Sequence, residues 1–237
     1  PAVIDGPQAR IVDWPYRAGA ALHRGAFLSG LLPRTSLDRF TVSVGSLHFG
    51  GAGKTPLTLD LAGPGSALLM KGYRAMGARS SASVLCDDDQ GPPWRRRLII
   101  DGRAHTAQQG SALIGDEAAM AAAQRPGLWV GVGADRVLSA KGLLKQQDVE
   151  RFILDDAFSH HRLHRDLDLL AVPLDGPDGG VSAGLRREGT HAVRRARALI
   201  GVSDNILDEQ VLVLSELRRV MRYDGPVWLC HKTPASL

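Results

Sequence analysis

After Pro33, short apolar runs alternate with longer stretches whose apolar positions recur every three or four residues. The runs Thr41–Val44, Ala67–Met70, Ser83–Leu85, Leu128–Val132, Phe152–Leu154, Leu167–Val172, Ala198–Val202 and Val227–Leu229 predict buried strands. The intervening patterns predict helices at Asp116–Gln124, Asp135–Gln147, Thr190–Arg197 and Asn205–Tyr223. Strands that alternate with helices imply an α/β fold, a mostly parallel sheet covered by helices on both faces. Residues 87–109 break the rhythm, with an acidic run, then Pro-Pro, then Arg95–Arg97. That segment is expected to be a surface excursion containing a hairpin.

Before Pro33 the pattern differs. Trp14, Ala18, Ala21, Gly25, Leu28 and Leu32 form one apolar stripe over residues 10–34, while Arg10, Arg17 and Arg24 recur every seven residues on another side. Such a basic amphipathic helix can pack on its own domain or lie in a membrane interface with its arginines near lipid phosphates. Periodicity alone leaves both open.

Composition narrows the picture a little. The 237 residues are enough for one sizeable α/β domain, and 44% apolar with 23% charged residues is ordinary for a globular chain. A formal charge of +4 suits phosphate-bearing ligands or an anionic surface. Aromatics are 5% of residues and no basic patch is interleaved with them, which argues against a nucleic-acid platform. Cys86 and Cys230 stand far apart without metal-ligand spacing. No apolar run approaches the roughly 20 residues that span a bilayer.

The chemistry begins at the first predicted strand. It runs into Gly45-Ser46-Leu47-His48-Phe49-Gly50-Gly51-Ala52-Gly53-Lys54-Thr55-Pro56. A strand, a glycine-rich turn and a helix start form a phosphate cradle: the glycines let successive N–H groups point inward, and the helix N-terminus adds partial positive charge. His48, Phe49, Gly50, Gly51, Ala52 and Gly53 form the loop. Lys54 would reach the β- and γ-phosphates of ATP, and the Thr55 hydroxyl would ligate Mg2+. His48 stands where the strict motif has its first glycine, leaving G-G-x-G-K-T after a strand.

Phe152-Ile153-Leu154-Asp155-Asp156 is an apolar strand ending in two carboxylates. Beside a phosphate loop, such a strand delivers an acid to the metal. Alternation along an extended chain would turn one aspartate toward the metal and the other toward the substrate. His160, His161 and His164 follow with Arg162 and Arg165 among them, which reads as a basic, phosphate-facing loop. Gly115-Asp116-Glu117 opens one helix, Gly133-Ala134-Asp135-Arg136 opens another, and Gly184-Leu185-Arg186-Arg187-Glu188 is a charged loop.

The order of these pieces resembles the tetraacyldisaccharide 4′-kinase family of lipid A biosynthesis over roughly residues 10–200. Ser43–Leu47 leads into Gly50–Pro56, then come Lys71-Gly72-Tyr73, Gly115-Asp116-Glu117, Gly133–Val137, Asp155–His160 with Arg165-Asp166-Leu167-Asp168, and Ala183-Gly184 with Arg187-Glu188. The resemblance implies a P-loop kinase core that phosphorylates the 4′-hydroxyl of a lipid A disaccharide precursor at the cytoplasmic face of a Gram-negative inner membrane. It implies ATP and Mg2+ as cofactors, with Lys54 and Thr55 on ATP and metal, Asp155 and Asp156 organising the metal, and Asp116 as the base. Lys71, Arg136, His160, Arg187 and Glu188 would contact phosphates or sugar. It also assigns residues 10–34 to an anionic membrane surface, as a peripheral contact.

The chain departs from the family pattern at Ser46, at Met70-Lys71-Gly72-Tyr73-Arg74, at Ala118, and at Ala157 and Ser159. The expected organisation is a membrane-contacting segment at 1–40, a kinase core at 41–202 and, at 203–237, the start of a C-terminal lobe whose D-H-H motif would lie past Leu237. Two other readings stand beside this one. A peripheral-membrane ATPase of the MinD/ParA type shares G-G-x-G-K-T but has a lysine where this chain has Phe49. A degenerate relative would bind nucleotide or lipid without turnover.

Overall fold

The computed structural model describes residues 19, 22, 25–27, 29–47, 53–72, 81–86, 91–174, 190–204 and 210–233. In chain order its elements are β1 (Phe40–Gly45), α1 (Lys54–Leu61), β2 (Ser66–Met70), β3 (Ala82–Leu85), β4 (Leu98–Ile100), β5 (Arg103–His105), α2 (Ala107–Ile114) and α3 (Asp116–Gln124). They continue with β6 (Trp129–Val132), α4 (Arg136–Leu144), β7 (Arg151–Asp155), β8 (Leu167–Pro173), β9 (Ala198–Ser203), α5 (Gln210–Met221) and β10 (Val227–His231). Short 3-10 turns stand at Pro93–Arg95 and Thr190–Arg195.

The ten strands form one sheet in the order β10-β9-β8-β1-β7-β2-β6-β3-β4-β5. From β10 to β6 every pairing is parallel, and β3, β4 and β5 extend the edge antiparallel. Strand alternation divides the core between two faces. Val44, Leu68, Met70, Ile153 and Ile200 pack with Leu59 of α1 and the buried alanines of α3 on one face. On the other, Ala67, Leu69, Phe152 and Leu154 pack with Val137, Ala140 and Leu143 of α4, and Leu170 and Leu199 pack with Leu217 and Met221 of α5.

From β1 the chain crosses to β2 on one side, and from β7 it steps over β1 to β8 on the other. β1 therefore sits where the winding reverses, and the carboxyl ends of the strands there form the crevice in which such sheets hold ligands.

All eight expected strands are present, and the 87–109 segment contains the hairpin β4–β5. Its C-terminal end differs from a surface excursion, because α2 begins at Ala107. Thr106 accepts from Gln109 N while the Gln109 side chain accepts from Thr106 N, a reciprocal capping box that starts the helix. The 190–195 segment is a 3-10 turn rather than an α-helix.

Most of the amphipathic stretch at 10–34 lies outside the described residues; residues 25–27 are helical and Phe27 is buried. Among the described residues no helix is long and apolar enough to cross a membrane. Residues 210–231 continue the sheet, with β10 in parallel register on β9.

Candidate active site

β1 ends at Gly45 and α1 starts at Lys54. His48, Phe49, Gly50, Gly51 and Ala52 lie outside the described residues, so the structure reports the two ends of the loop. Gly53 caps α1 with φ of 68°, a left-handed conformation that glycine adopts without strain. At the other end, a β-carbon on Gly45 would collide with Phe158, lying 2.9 Å from its backbone nitrogen. The start of the loop is thus packed directly on the segment that follows β7.

The parallel register sets Val44 beside Asp155, which brings the end of β7 to the phosphate loop. Thr55 Oγ1 donates to Asp155 Oδ2 at 2.8 Å, and Lys54 Nζ stands 3.8 Å from Asp156 Oδ1. Both aspartates therefore turn toward the first turn of α1. Asp156 does not continue the strand alternation expected of it, because β7 ends at Asp155 and Asp156 takes a φ of 48°. That left-handed turn swings its carboxylate to the lysine side.

Asp155 is 4% exposed, and its Oδ1 has no hydrogen-bond partner among the described residues. Burial pushes its carboxyl above the usual range; the Thr55 hydrogen bond and Lys54 oppose this, while Asp156 and Glu117 reinforce it. A buried carboxylate oxygen without a donor, beside a hydroxyl, offers hard oxygen ligands suited to a divalent cation, although no group of three or more His, Cys, Asp or Glu side chains gathers as a metal site among the described residues. Thr55 and Asp155 fit such an ion, with Asp156 next to them.

Behind the acids lies a layer of arginines. Asp135 caps α4, accepting from Val137 N at 3.0 Å and Leu138 N at 3.2 Å, so the next residue, Arg136, points back under β7. Arg136 is 4% exposed and its Nη2 donates to the Asp155 carbonyl at 2.8 Å. Burial lowers its pKa, and Asp156 and Asp155 counter that. His160 is half-buried, with Nε2 unpartnered among the described residues. Burial, followed by the charges of Arg136 and Arg165, lowers its pKa to about 4, so its imidazole is neutral at physiological pH.

Arg162 and Arg165 were expected to face phosphate. Instead Arg162 pairs with Asp135 at 2.8 Å, and Arg165 turns inward. Its guanidinium grips Asp168 through Nε–Oδ1 at 2.7 Å and Nη2–Oδ2 at 3.1 Å, while Nη1 donates to the carbonyl of His160. The Ser43 hydroxyl donates to the same Asp168 carboxylate, and Thr41 N donates to Asp166 Oδ2 at 2.8 Å. Residues 165–168 therefore clamp the post-β7 loop to β1. Composition and charge order did not distinguish this buried clamp from a basic surface; the i,i+3 Arg-Asp spacing and an inward serine on β1 are the signals that would have.

The remaining candidates are more dispersed. Asp116 is exposed as the first residue of α3, and Lys71 is exposed just past β2. Arg187 and Glu188 lie outside the described residues. The structure thus brings together Lys54, Thr55, Asp155 and Asp156, with Arg136 bonded to the Asp155 carbonyl behind them and His160 among Arg136, Arg165 and Asp135.

Known proteins offer a comparison for this arrangement. The family model described as tetraacyldisaccharide-1-P 4′-kinase matches residues 9–79 and 96–224. A tetraacyldisaccharide 4′-kinase of Geobacter sulfurreducens is 38% identical over 74% of this chain and 47% of its own length. One from Anaeromyxobacter dehalogenans is 33% identical over 99% of this chain and 60% of its own. The chain thus spans about half to three fifths of these relatives. A crystal structure of LpxK from Aquifex aeolicus, in complex with ATP, superposes with a TM-score of 0.63 at 23% identity, covering 90% of this chain and 61% of that one. That match establishes a shared fold.

Proposed function

Because the chain belongs to the tetraacyldisaccharide-1-P 4′-kinase family, we propose that it binds ATP and transfers the terminal phosphoryl group to the 4′-hydroxyl of a lipid A disaccharide 1-phosphate precursor. The observation that carries this reading is the hydrogen bond from Thr55 to Asp155, with Lys54 beside Asp156. It joins the helix that follows the glycine-rich segment to the acids of the neighbouring strand, which is where triphosphate and divalent cation have to meet.

In this reading Lys54 holds the β- and γ-phosphate oxygens, and the Thr55 hydroxyl and Asp155 carboxylate hold Mg2+, with Asp156 orienting them. Bound Mg2+ supplies charge neutralisation at the phosphates. Asp116, exposed at the start of α3, accepts the proton of the attacking sugar hydroxyl on a carboxylate oxygen. Phosphoryl transfer depends on alignment and charge neutralisation more than on covalent catalysis, so one carboxylate near the hydroxyl is a sufficient base. Arg136 supports Asp155 from behind, and His160 offers a neutral ring nitrogen to phosphate or sugar. Lys71, Arg187 and Glu188 contact substrate.

The same reading assigns residues 10–34 to an anionic membrane surface on the cytoplasmic face of the inner membrane, and extends the kinase core past residue 202 to α5 and β10, which continue the sheet. A labelled-ATP assay with Asp116→Ala tests the base. The variant is expected to bind ATP within a few fold of wild type and to transfer nothing. Transfer that persists assigns the base elsewhere; hydrolysis indifferent to lipid would favour an ATPase, and binding without turnover a degenerate relative.

A further inference from the structure

Lys232 reaches Gly53, at the start of α1, from the side of β1 away from β7. β8, β9 and β10 extend from β1 away from β7. At their carboxyl ends, His231 of β10 is in register with Ser203 of β9, and Lys232 N donates to Ser203 O at 2.9 Å. This pins the backbone of Lys232 at the crevice edge of the sheet. Its side chain then runs toward Gly53, the last residue of the glycine-rich segment. A β-carbon on Gly53 would stand 2.7 Å from Val202 Cγ1 and 3.2 Å from Lys232 Cε. The lysine stem therefore fills the space that a side chain at residue 53 would need, beside the N-terminus of α1. The Asp204 carboxylate, one residue past β9, accepts from Lys232 Nζ.

We propose that Lys232, paired with Asp204, is a second cationic contact on the polyphosphate chain of the nucleotide, reaching it from the β10 side of Gly53. The inference rests on the nucleotide-binding reading above and deepens it. Lys54 stands near Asp156 and Lys232 is bonded to Asp204, so each ammonium keeps a carboxylate, and a triphosphate carries more negative charge than a single lysine neutralises. A second one entering from β10 adds counter-charge at the point where the loop turns into α1. The alternative is a plain surface ion pair that ties two strand ends together. Pairs of that kind contribute little to folding and nothing to anion affinity.

Equilibrium binding separates the two, using ATP, inorganic tripolyphosphate and AMP as probes with wild type, Lys232→Ala, Lys232→Arg and Lys54→Ala, with thermal unfolding measured on each. The expected result is that Lys232→Ala weakens ATP and tripolyphosphate by a common factor of about tenfold. Lys232→Arg retains most of the affinity, AMP binding changes little, and the melting temperature of both variants stays near that of wild type. If both Lys232 variants bind ATP as wild type does while Lys54→Ala loses it, the second contact is wrong and the nucleotide site stands. If wild type binds neither ATP nor tripolyphosphate, the nucleotide reading fails and this inference with it.

Discussion

Thr55 Oγ1 and Asp155 Oδ2 are 2.8 Å apart although 100 residues separate them in the chain. The bond links the first turn of α1 to the end of β7, and it exists because β1 and β7 are parallel neighbours in register. Here the hydroxyl donates its proton to the carboxylate. In the proposed reading both oxygens would turn to Mg2+.

Asp155→Asn preserves shape and removes the charge that a cation needs. Turnover is expected to fall by at least about a hundredfold, with saturation shifted to higher Mg2+ concentration. ATP affinity measured without Mg2+ should stay near the wild-type value. Kinetics across an Mg2+ titration check this, and chelation by EDTA should abolish wild-type turnover.

The clamp between Arg165 and Asp168 is nearly buried, with side-chain exposures of 9% and 14%. Removing one partner strands the other charge, so Arg165→Ala or Asp168→Ala is expected to cost about 3 kcal/mol or more. The double variant Arg165→Ala/Asp168→Ala should cost less than the sum of the two single changes. Urea denaturation of the four proteins measures the coupling.

At Gly45 the added carbon of alanine has no room against the backbone of Phe158. Gly45→Ala is therefore expected to destabilise the fold by roughly 1–3 kcal/mol through overpacking. Because the shift falls at the entrance of the loop, ATP binding should weaken as well. Denaturation and nucleotide titration of the same sample report both.

His160 gives a pH signature. Its folded pKa of about 4 lies below the ordinary 6.5, so the unfolded chain binds its proton first as pH falls. The stability it contributes is complete above pH 6.5 and is lost as pH drops from there toward 4. His160→Gln should flatten the stability profile in that window and leave it parallel to wild type above it. Unfolding free energies measured from pH 4 to 8 show the difference.

The strands were readable because each apolar run is short and bounded by turn or charged residues, and most are buried on both faces, as Phe152–Leu154 and Leu68–Met70 illustrate, with β10 and its exposed Trp228 the exception. α2 escaped because it follows the hairpin directly and its interior holds Gly110 and Ser111, which blur the apolar period; the Thr106–Gln109 box was its one clear marker. In the site, Lys54, Thr55, Asp155 and Asp156 were legible because a phosphate cradle and an acid-tipped strand are local motifs. The direction of Asp156 was not, since it depends on where β7 stops. Nor was the approach of Lys232 to Gly53, which joins segments distant in sequence, whereas the i,i+3 spacing of Arg165 and Asp168 was there to be read.

The proposed transfer of phosphoryl from ATP to a lipid disaccharide is read by incubating the chain with ATP labelled at the γ-phosphate, Mg2+ and the disaccharide 1-phosphate. Labelled lipid carrying phosphate at the 4′-oxygen is expected, lost on Lys54→Ala and on Asp155→Asn. ATP bound with no label reaching lipid, or label transferred equally well by both variants, would contradict the proposal.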